Sequence, residues 1–439
     1  MKSGALLSKS RFVAGMQCPK LLYWRTHEPD AAELVPSESL QGFLDQGKLV
    51  EERARTLFPS GVLIPEEDEG RVEATRTAIE GGAKVLFEAA FLADDVFVAV
   101  DVLVRDPDGD TWTIVEIKSR TSVKPHYIDD VAVQAHVVER SGLSVRRVEI
   151  MHLDADARTT KLEGIFKRVD VTNEVTERRK TLEDDLRRQL TVIQGELPVI
   201  EVGPHCFTPY RCPFRNRCWP PREERAEVFE VDEAGLRSAM SGWLSPIAFL
   251  DFETMGPPFP IWEGYAPYEV IPLQLSAHVE ANGDHVHHAW IIDSDSDPRR
   301  RFAEALLEAC AGAHTILAYN ASYERNIILR VADYLPDLAP CLRDLAYRTC
   351  DMLAPVRQHV THPDFEGSYS LKRVLPVLTG LGYDDLAIDN GLVASQALEK
   401  IARGEADPNE QRDALLAYCA RDTWGLVVLL KRLRELARV

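Results

Sequence analysis

Four of the eight cysteines constrain this chain more than any other feature. Cys18 stands near the N-terminus, and Cys206, Cys212 and Cys218 follow one another with five residues between each pair. If all four serve one centre, segment 206–218 must return to the N-terminus and enclose everything between as one module. In a reducing compartment, clustered cysteines read as metal ligands rather than disulfides. The spacing is not that of a zinc ribbon, which uses two C-x2-C pairs. Four thiolates suit a 4Fe–4S cluster, one cysteine per iron. Four-coordinate zinc, with His205 as a possible replacement ligand, and separate buried thiols are the alternatives. Closing so long a loop limits the unfolded ensemble, so the expected role is a structural clip rather than electron transfer. Cys310, Cys341, Cys350 and Cys419 read as ordinary buried thiols.

The chain has 439 residues, 45% hydrophobic and 28% charged, which suits two or three globular domains. It has no eighteen-residue apolar run and no N-terminal stretch apolar enough for a signal peptide, so no membrane partner and a cytoplasmic location are expected. The net charge of −19 argues against a broadly basic nucleic-acid coat. Local basic groups survive at Arg211, Arg215 and Arg217 and at Lys118, Arg120 and Lys124. The Pro- and charge-rich stretch 220–225 closes a first domain, 1–225; 226–244 reads as a linker and 245–439 as a second domain.

In the first domain, residues 10–24 read as a short helix carrying Cys18, and 47–58 as another. Residues 97–104 and 111–118 are rich in β-branched residues and flank the turn signal 107–110, which predicts a hairpin. Helices are expected over 129–139 and 182–193. In the second domain, strands are expected over 247–252, 273–279, 285–292 and 316–319. Helices are expected over 300–310, 323–334, 370–378 and 411–436. Strands first and helices later predict an α/β layer with a mixed sheet.

Alternate strand residues share a face, so Glu116 and Lys118 of Glu116-Ile117-Lys118 project together, with Asp101 on the neighbouring hairpin strand. Two carboxylates suit Mg²⁺ or Mn²⁺, which prefer oxygen ligands, beside a lysine able to position a water or a phosphate oxygen. Gln134 falls on the next helix, and Glu51 on the preceding one in Gly47-Lys48-Leu49-Val50-Glu51.

These residues give the first half, roughly 8–220, a resemblance to the RecB-family nucleases of the PD-(D/E)xK superfamily. It resembles above all the iron–sulfur branch that includes AddB and the CRISPR-associated RecB-like exonucleases. The resemblance implies a restriction-endonuclease-like fold and a metal site of Glu51, Asp101 and Glu116. It further implies catalytic roles for Lys118 and Gln134, and a 4Fe–4S cluster on Cys18, Cys206, Cys212 and Cys218. Glu51 stands where that family usually has His, and Val138 where it often has Tyr.

A second constellation is Asp251-Phe252-Glu253 at the end of an apolar strand, with Tyr418 and Asp422 four apart on a helix face. Buried paired carboxylates are costly without a cation. Inward carboxylates from a strand and two helices suit two divalent ions for in-line phosphodiester hydrolysis, with Tyr418 orienting the attacking water. With Glu324 of Asn320-Ala321-Ser322-Tyr323-Glu324 where the second motif normally ends in Asp, residues 245–436 resemble the DnaQ-like 3′–5′ exonucleases of the ribonuclease H fold. Asp251, Glu253, Glu324 and Asp422 are then the implied Mg²⁺ or Mn²⁺ ligands and Tyr418 a catalytic residue. Asp351 and the run 368–372 are read as structural or substrate-positioning.

The whole chain resembles a bacterial family that fuses these two modules. The expectation is a metal-dependent nuclease acting on DNA, with RNA as a further possible substrate and a helicase, repair or defence partner unidentified. Trp219, Trp262, Tyr265 and Tyr268 are candidate base-stacking side chains, with core or loop packing as the alternative. The rival reading is a nucleic-acid-binding scaffold with one or both sites degenerate.

Overall fold

The computed structural model describes residues 6–65, 70–107, 109–219, 229–388 and 390–438. The stretch 220–225 and Asp108 of the expected turn lie outside the described residues. The chain is mixed α/β and divides into two compact units, Met1–Glu223 with Pro258–Pro267 and Glu224–Pro257 with Tyr268–Val439.

The first unit is built on a seven-stranded mixed sheet. Its strands are β1 (Leu7–Ser8), β2 (Val62–Leu63), β3 (Val85–Ala93), β4 (Val96–Arg105), β5 (Thr111–Lys118), β6 (Ser144–Leu153) and β7 (Phe166–Asp170). The order is β2-β3-β4-β5-β6-β7, with β1 beside β4. The expected hairpin is β4–β5, antiparallel, with Val102 opposite Val115, which sets Asp101 alongside Glu116. Trp112 to Ile117 of β5 are all buried, the mark of a strand covered on both faces.

Helices α1 (Lys9–Gln17), α2 (Pro19–His27), α3 (Glu38–Arg55), α4 (Arg71–Glu80), α5 (Pro125–Arg140) and α6 (Thr172–Gln194) surround this sheet, and a short α7 (Arg215–Cys218) ends the unit's main segment. The single helix expected over 10–24 is two helices. Cys18 between them is extended, with φ −161° and ψ 126°. Pro19 is the reason, since the residue before a proline is driven out of the helical region. The break presents Cys18 at a corner rather than on a helix flank.

In the second unit, β8 (Glu230–Val231) and α8 (Glu233–Met240) occupy much of the stretch expected as a linker. Asp232 caps α8 by accepting from the Gly235 N–H at 2.9 Å, and Leu236 and Met240 are buried, so a cap and an apolar face overrode the loop-like composition. The main sheet contains β9 (Ile247–Met255), β10 (Ile271–Ala281), β11 (Asp284–Ile291), β12 (Thr315–Ala318) and β13 (Thr349–Asp351) in the order β11-β10-β9-β12-β13. β12 runs parallel to β9 and β13 to β12; the other pairs are antiparallel. A strand β14 (Val360–Thr361) pairs with β8.

The helices here are α9 (Arg299–Ala309), α10 (Ser322–Tyr334), α11 (Ala339–Arg348), α12 (Leu353–His359), α13 (Leu371–Thr379), α14 (Gly391–Ala402) and α15 (Arg412–Leu436). α15 lies against β9 and β10, and α13 lies against α15. Gly425 permits that last approach: a Cβ there would fall 2.5 Å from Leu375. Among the described residues no helix is long and apolar enough to cross a membrane.

Candidate metal centres

In the second unit, β9 delivers Asp251 and Glu253 on one face, with Phe252 buried between them, and α15 delivers Tyr418 and Asp422 one turn apart. Carboxylate oxygens of Asp251, Glu253 and Asp422 all lie within 4.8 Å of one another. Burial and mutual repulsion leave these groups reluctant to ionise. Asp251 is pushed well above the carboxylate range by burial, then by Asp422, Glu253 and Glu324. Glu253 is pushed up to about 8 by burial and Asp422, with Lys372 opposing. Asp422 is raised by burial against the hydrogen bonds of Tyr383 and Tyr418.

Glu324, from the first turn of α10, stands outside the tight group of three but close enough to raise Asp251. It is 4% exposed, its Oε2 has no hydrogen-bond partner, and burial lifts it to about 8. The turn ahead of α10 is fixed by Asp351, whose Oδ1 accepts from the N–H groups of Asn320, Ala321 and Leu353. Sequence reasoning missed Tyr383, whose hydroxyl donates to Asp422 Oδ1 at 2.5 Å. The Lys372 ammonium lies 5.2 Å from the Tyr383 ring centre and 4.9 Å from that of Tyr418. Cys419, expected as an ordinary buried thiol, sits with its sulfur 3.7 Å from Asp251 Oδ2, whereas Cys341 is exposed.

The first unit distributes its site residues differently from the expected Glu51, Asp101 and Glu116 set. Among the described residues, the second group with three ligand oxygens within 4.8 Å is Glu51, Glu88 and Asp101. Glu88 of β3 carries φ +56°, a left-handed conformation unusual for a non-glycine within a strand. Its carboxylate bonds Arg55 at 2.7 Å and Arg71 at 3.1 Å, and Arg55 also bonds Glu51. Burial, then Glu51, pushes Glu88 up to about 7.

Glu116 instead receives three donors. Lys118 Nζ lies 2.6 Å and Lys9 Nζ 3.0 Å from its Oε1, while Gln134 Nε2 donates to Oε2 at 2.7 Å. These bonds outweigh burial and hold Glu116 well below the carboxylate range. Lys118 also pairs with Asp130 at 2.5 Å. Gln134 is fully buried and its Oε1 has no partner. Lys9 and Glu88 carried no signal in the sequence, because each depends on a fold-level neighbour. Asp130 begins the run that contains Gln134.

Cys18, Cys206, Cys212 and Cys218 line one pocket together with Lys20, Trp24 and His205, and none is in a disulfide. Burial raises the Cys212 pKa, and the neighbouring Cys18, Cys206 and Cys218 raise it further. Such a set of converging soft donors fits a metal group that neutralises several thiolates. His205 Nε2 lies 3.7 Å from the Cys206 sulfur. Of the expected basic groups here, Arg217 is engaged by Glu28 and Glu33, which removes it from a free nucleic-acid surface. Tyr265 is only 2% exposed, a core position rather than a stacking platform.

A family model described as a domain of unknown function (DUF2779) matches residues 248–370, a segment that holds Asp251, Glu253 and Glu324. A search of the curated proteins found no match.

Proposed function

We propose that this chain is a metal-dependent nuclease that hydrolyses phosphodiester bonds, with a RecB-like centre in its first unit and a DnaQ-like 3′–5′ exonuclease centre in its second. The observation that carries this reading is the convergence of Asp251, Glu253 and Asp422 within 4.8 Å, beside the buried, unpartnered carboxylate oxygen of Glu324. Asp422 and Glu324 are buried and Asp251 and Glu253 half-buried; gathering four such acidic groups without a compensating cation is costly, and oxygen-only donors suit Mg²⁺ or Mn²⁺. When bound, such ions acidify a water and neutralise charge on the phosphate.

The chain's own residues divide the remaining work. Asp251, Glu253, Asp422 and Glu324 hold the ions. Tyr383 fixes the rotamer of Asp422 through its 2.5 Å hydrogen bond. Tyr418 orients the attacking water, and Lys372, above both tyrosine rings, offers a positive charge to a phosphate oxygen. The five-stranded mixed sheet, with the acidic strand β9 at its centre, supports the ribonuclease H-like reading.

In the first unit, Glu51, Glu88 and Asp101 are the oxygen donors gathered most tightly, and Glu116 lies on the strand next to Asp101, engaged by Lys9, Lys118 and Gln134. Lys118 and Gln134 hold Glu116 in place. The four thiols at the unit's end suit a 4Fe–4S cluster that clips the N-terminus to segment 206–218. Single-stranded DNA is the substrate proposed, with RNA as the comparison.

The test uses DNA and RNA strands labelled at the 5′ end, incubated with Mn²⁺. Stepwise shortening from the 3′ end, lost in Asp251→Asn, supports the reading. Intact strands under every metal condition contradict it.

A further inference from the structure

Helix α1 joins two sites that the sequence keeps apart. Its first residue, Lys9, reaches the carboxylates of the first centre. Nζ lies 3.0 and 3.2 Å from the two oxygens of Glu116, 3.7 Å from Asp101 and 3.8 Å from Asp130. Its far end runs into Cys18, which lines the cysteine pocket. The helix has nine residues, a span of about 13 Å at 1.5 Å per residue.

That far end is held firmly. Gln17 Nε2 donates to the carbonyls of His205 at 2.8 Å and Tyr210 at 2.7 Å, both in the loop that carries Cys206 and Cys212. Gln189 of α6 donates to the Phe12 carbonyl at 3.1 Å and lies so near Gly15 that a Cβ there would fall 2.3 Å from it. α1 is therefore fixed against both the cysteine loop and α6. At the other end, a lysine in the first helical turn opposes the helix dipole and gains nothing from it. The gain comes from the three carboxylates gathered around its ammonium.

We propose that Lys9 is a positioning residue of the first centre, acting as the internal counter-ion of Glu116, Asp101 and Asp130, and that the cysteine-anchored end of α1 sets its reach. The inference rests on the metal-dependent reading of that centre. Lys9 Nζ stands among the three carboxylates in the place of a cation until a divalent ion displaces it, so it competes with that ion.

The experiment measures Mn²⁺ affinity by titration on the full chain, purified anaerobically so that the cysteine-bound group is retained. Asp251→Asn and Glu253→Gln silence the second centre, and binding lost in a further Asp101→Asn defines the first. Lys9→Met is expected to tighten this binding about tenfold, and Lys9→Arg to return it to within about twofold of the parent. Gln17→Ala, which loosens only the far end of α1, is expected to change affinity about threefold in the parent and not at all in Lys9→Met, the signature of direct coupling.

Asp101-dependent binding that is indifferent to Lys9→Met, or an equal Gln17→Ala effect in both backgrounds, overturns this inference and leaves the nuclease reading standing. Absence of any Asp101-dependent binding overturns both. Should Lys9→Met fail to fold, a Gln17→Ala effect that persists unchanged in Lys9→Arg supports the coupling, and the lack of any Gln17→Ala effect in the parent overturns it.

Discussion

Glu88 stands opposite Asp101 in the β3–β4 ladder: the register that pairs Phe87 with Val102 and Ala89 with Val100 places the two acidic residues side by side. Glu88 holds that position with a positive φ, a strain that costs about 1–3 kcal/mol unless the surroundings impose it. Arg55 and Arg71 impose it through their bonds to the Glu88 carboxylate.

Glu88→Ala should therefore destabilise the protein by about 2 kcal/mol, because it leaves Arg71 without its carboxylate and Arg55 with Glu51 alone. It should also weaken Mn²⁺ binding at the first centre. Glu88→Gln keeps some of the bonds and should cost less than half as much stability. Urea unfolding of the three proteins checks the order.

The second centre predicts an inverted pH dependence of stability. Glu253 and Glu324, ordinarily near 4.5, both rise to about 8 in the folded protein. Between these values the folded chain retains protons that the unfolded chain has released. Metal-free stability contributed by these groups is thus present at low pH and declines as pH rises from about 4.5 to 8. Glu253→Gln should flatten that decline in thermal unfolding. Mn²⁺ should raise the midpoint most at pH 8, where the carboxylates have released their protons.

Glu324→Gln separates stability from activity. Removing a buried acid whose Oε2 has no partner should stabilise the metal-free protein by about 1 kcal/mol. The same change should reduce 3′–5′ trimming at least tenfold. Tyr418→Phe should lower trimming about a hundredfold with little change in Mn²⁺ affinity, as expected of a water-orienting group. Thermal unfolding and single-turnover cleavage measure both pairs.

The cysteine pocket predicts a brown protein on anaerobic purification, with absorbance at about 400 nm and about four irons per chain. Cys212→Ser should lose that absorbance and lower the stability of the first unit, whereas Cys341→Ser, at an exposed position, should change neither. Bound zinc in place of iron would contradict the cluster assignment.

The residues legible in the sequence were those whose neighbours are local. Glu116 and Lys118 share a strand face, as do Asp251 and Glu253, and Tyr418 and Asp422 share a helix face; period two and period 3.6 were enough to pair them. Long-range donors were not legible. Lys9 reaches Glu116 across 107 residues of sequence, and Tyr383 reaches Asp422 across 39. Glu88 was hidden for the same reason: Arg55, Arg71 and Asp101, its neighbours in the fold, lie on other elements. The break at Cys18 was readable from Pro19, but the apolar spacing across 10–24 favoured one continuous helix. Asp232, the cap that opens α8, lay within a stretch whose composition resembled a linker.

Mn²⁺-dependent cleavage of a labelled single strand, compared across four full-length proteins, tests the central claim most directly. They are the unaltered chain, Lys118→Ala, the double change Asp251→Ala with Glu253→Ala, and all three changes together. Two hydrolytic centres predict that each partial variant loses a distinct part of the product pattern and that the triple variant leaves the strand intact. Cleavage undiminished in the triple variant would contradict the account, because neither group of carboxylates would then be performing the hydrolysis.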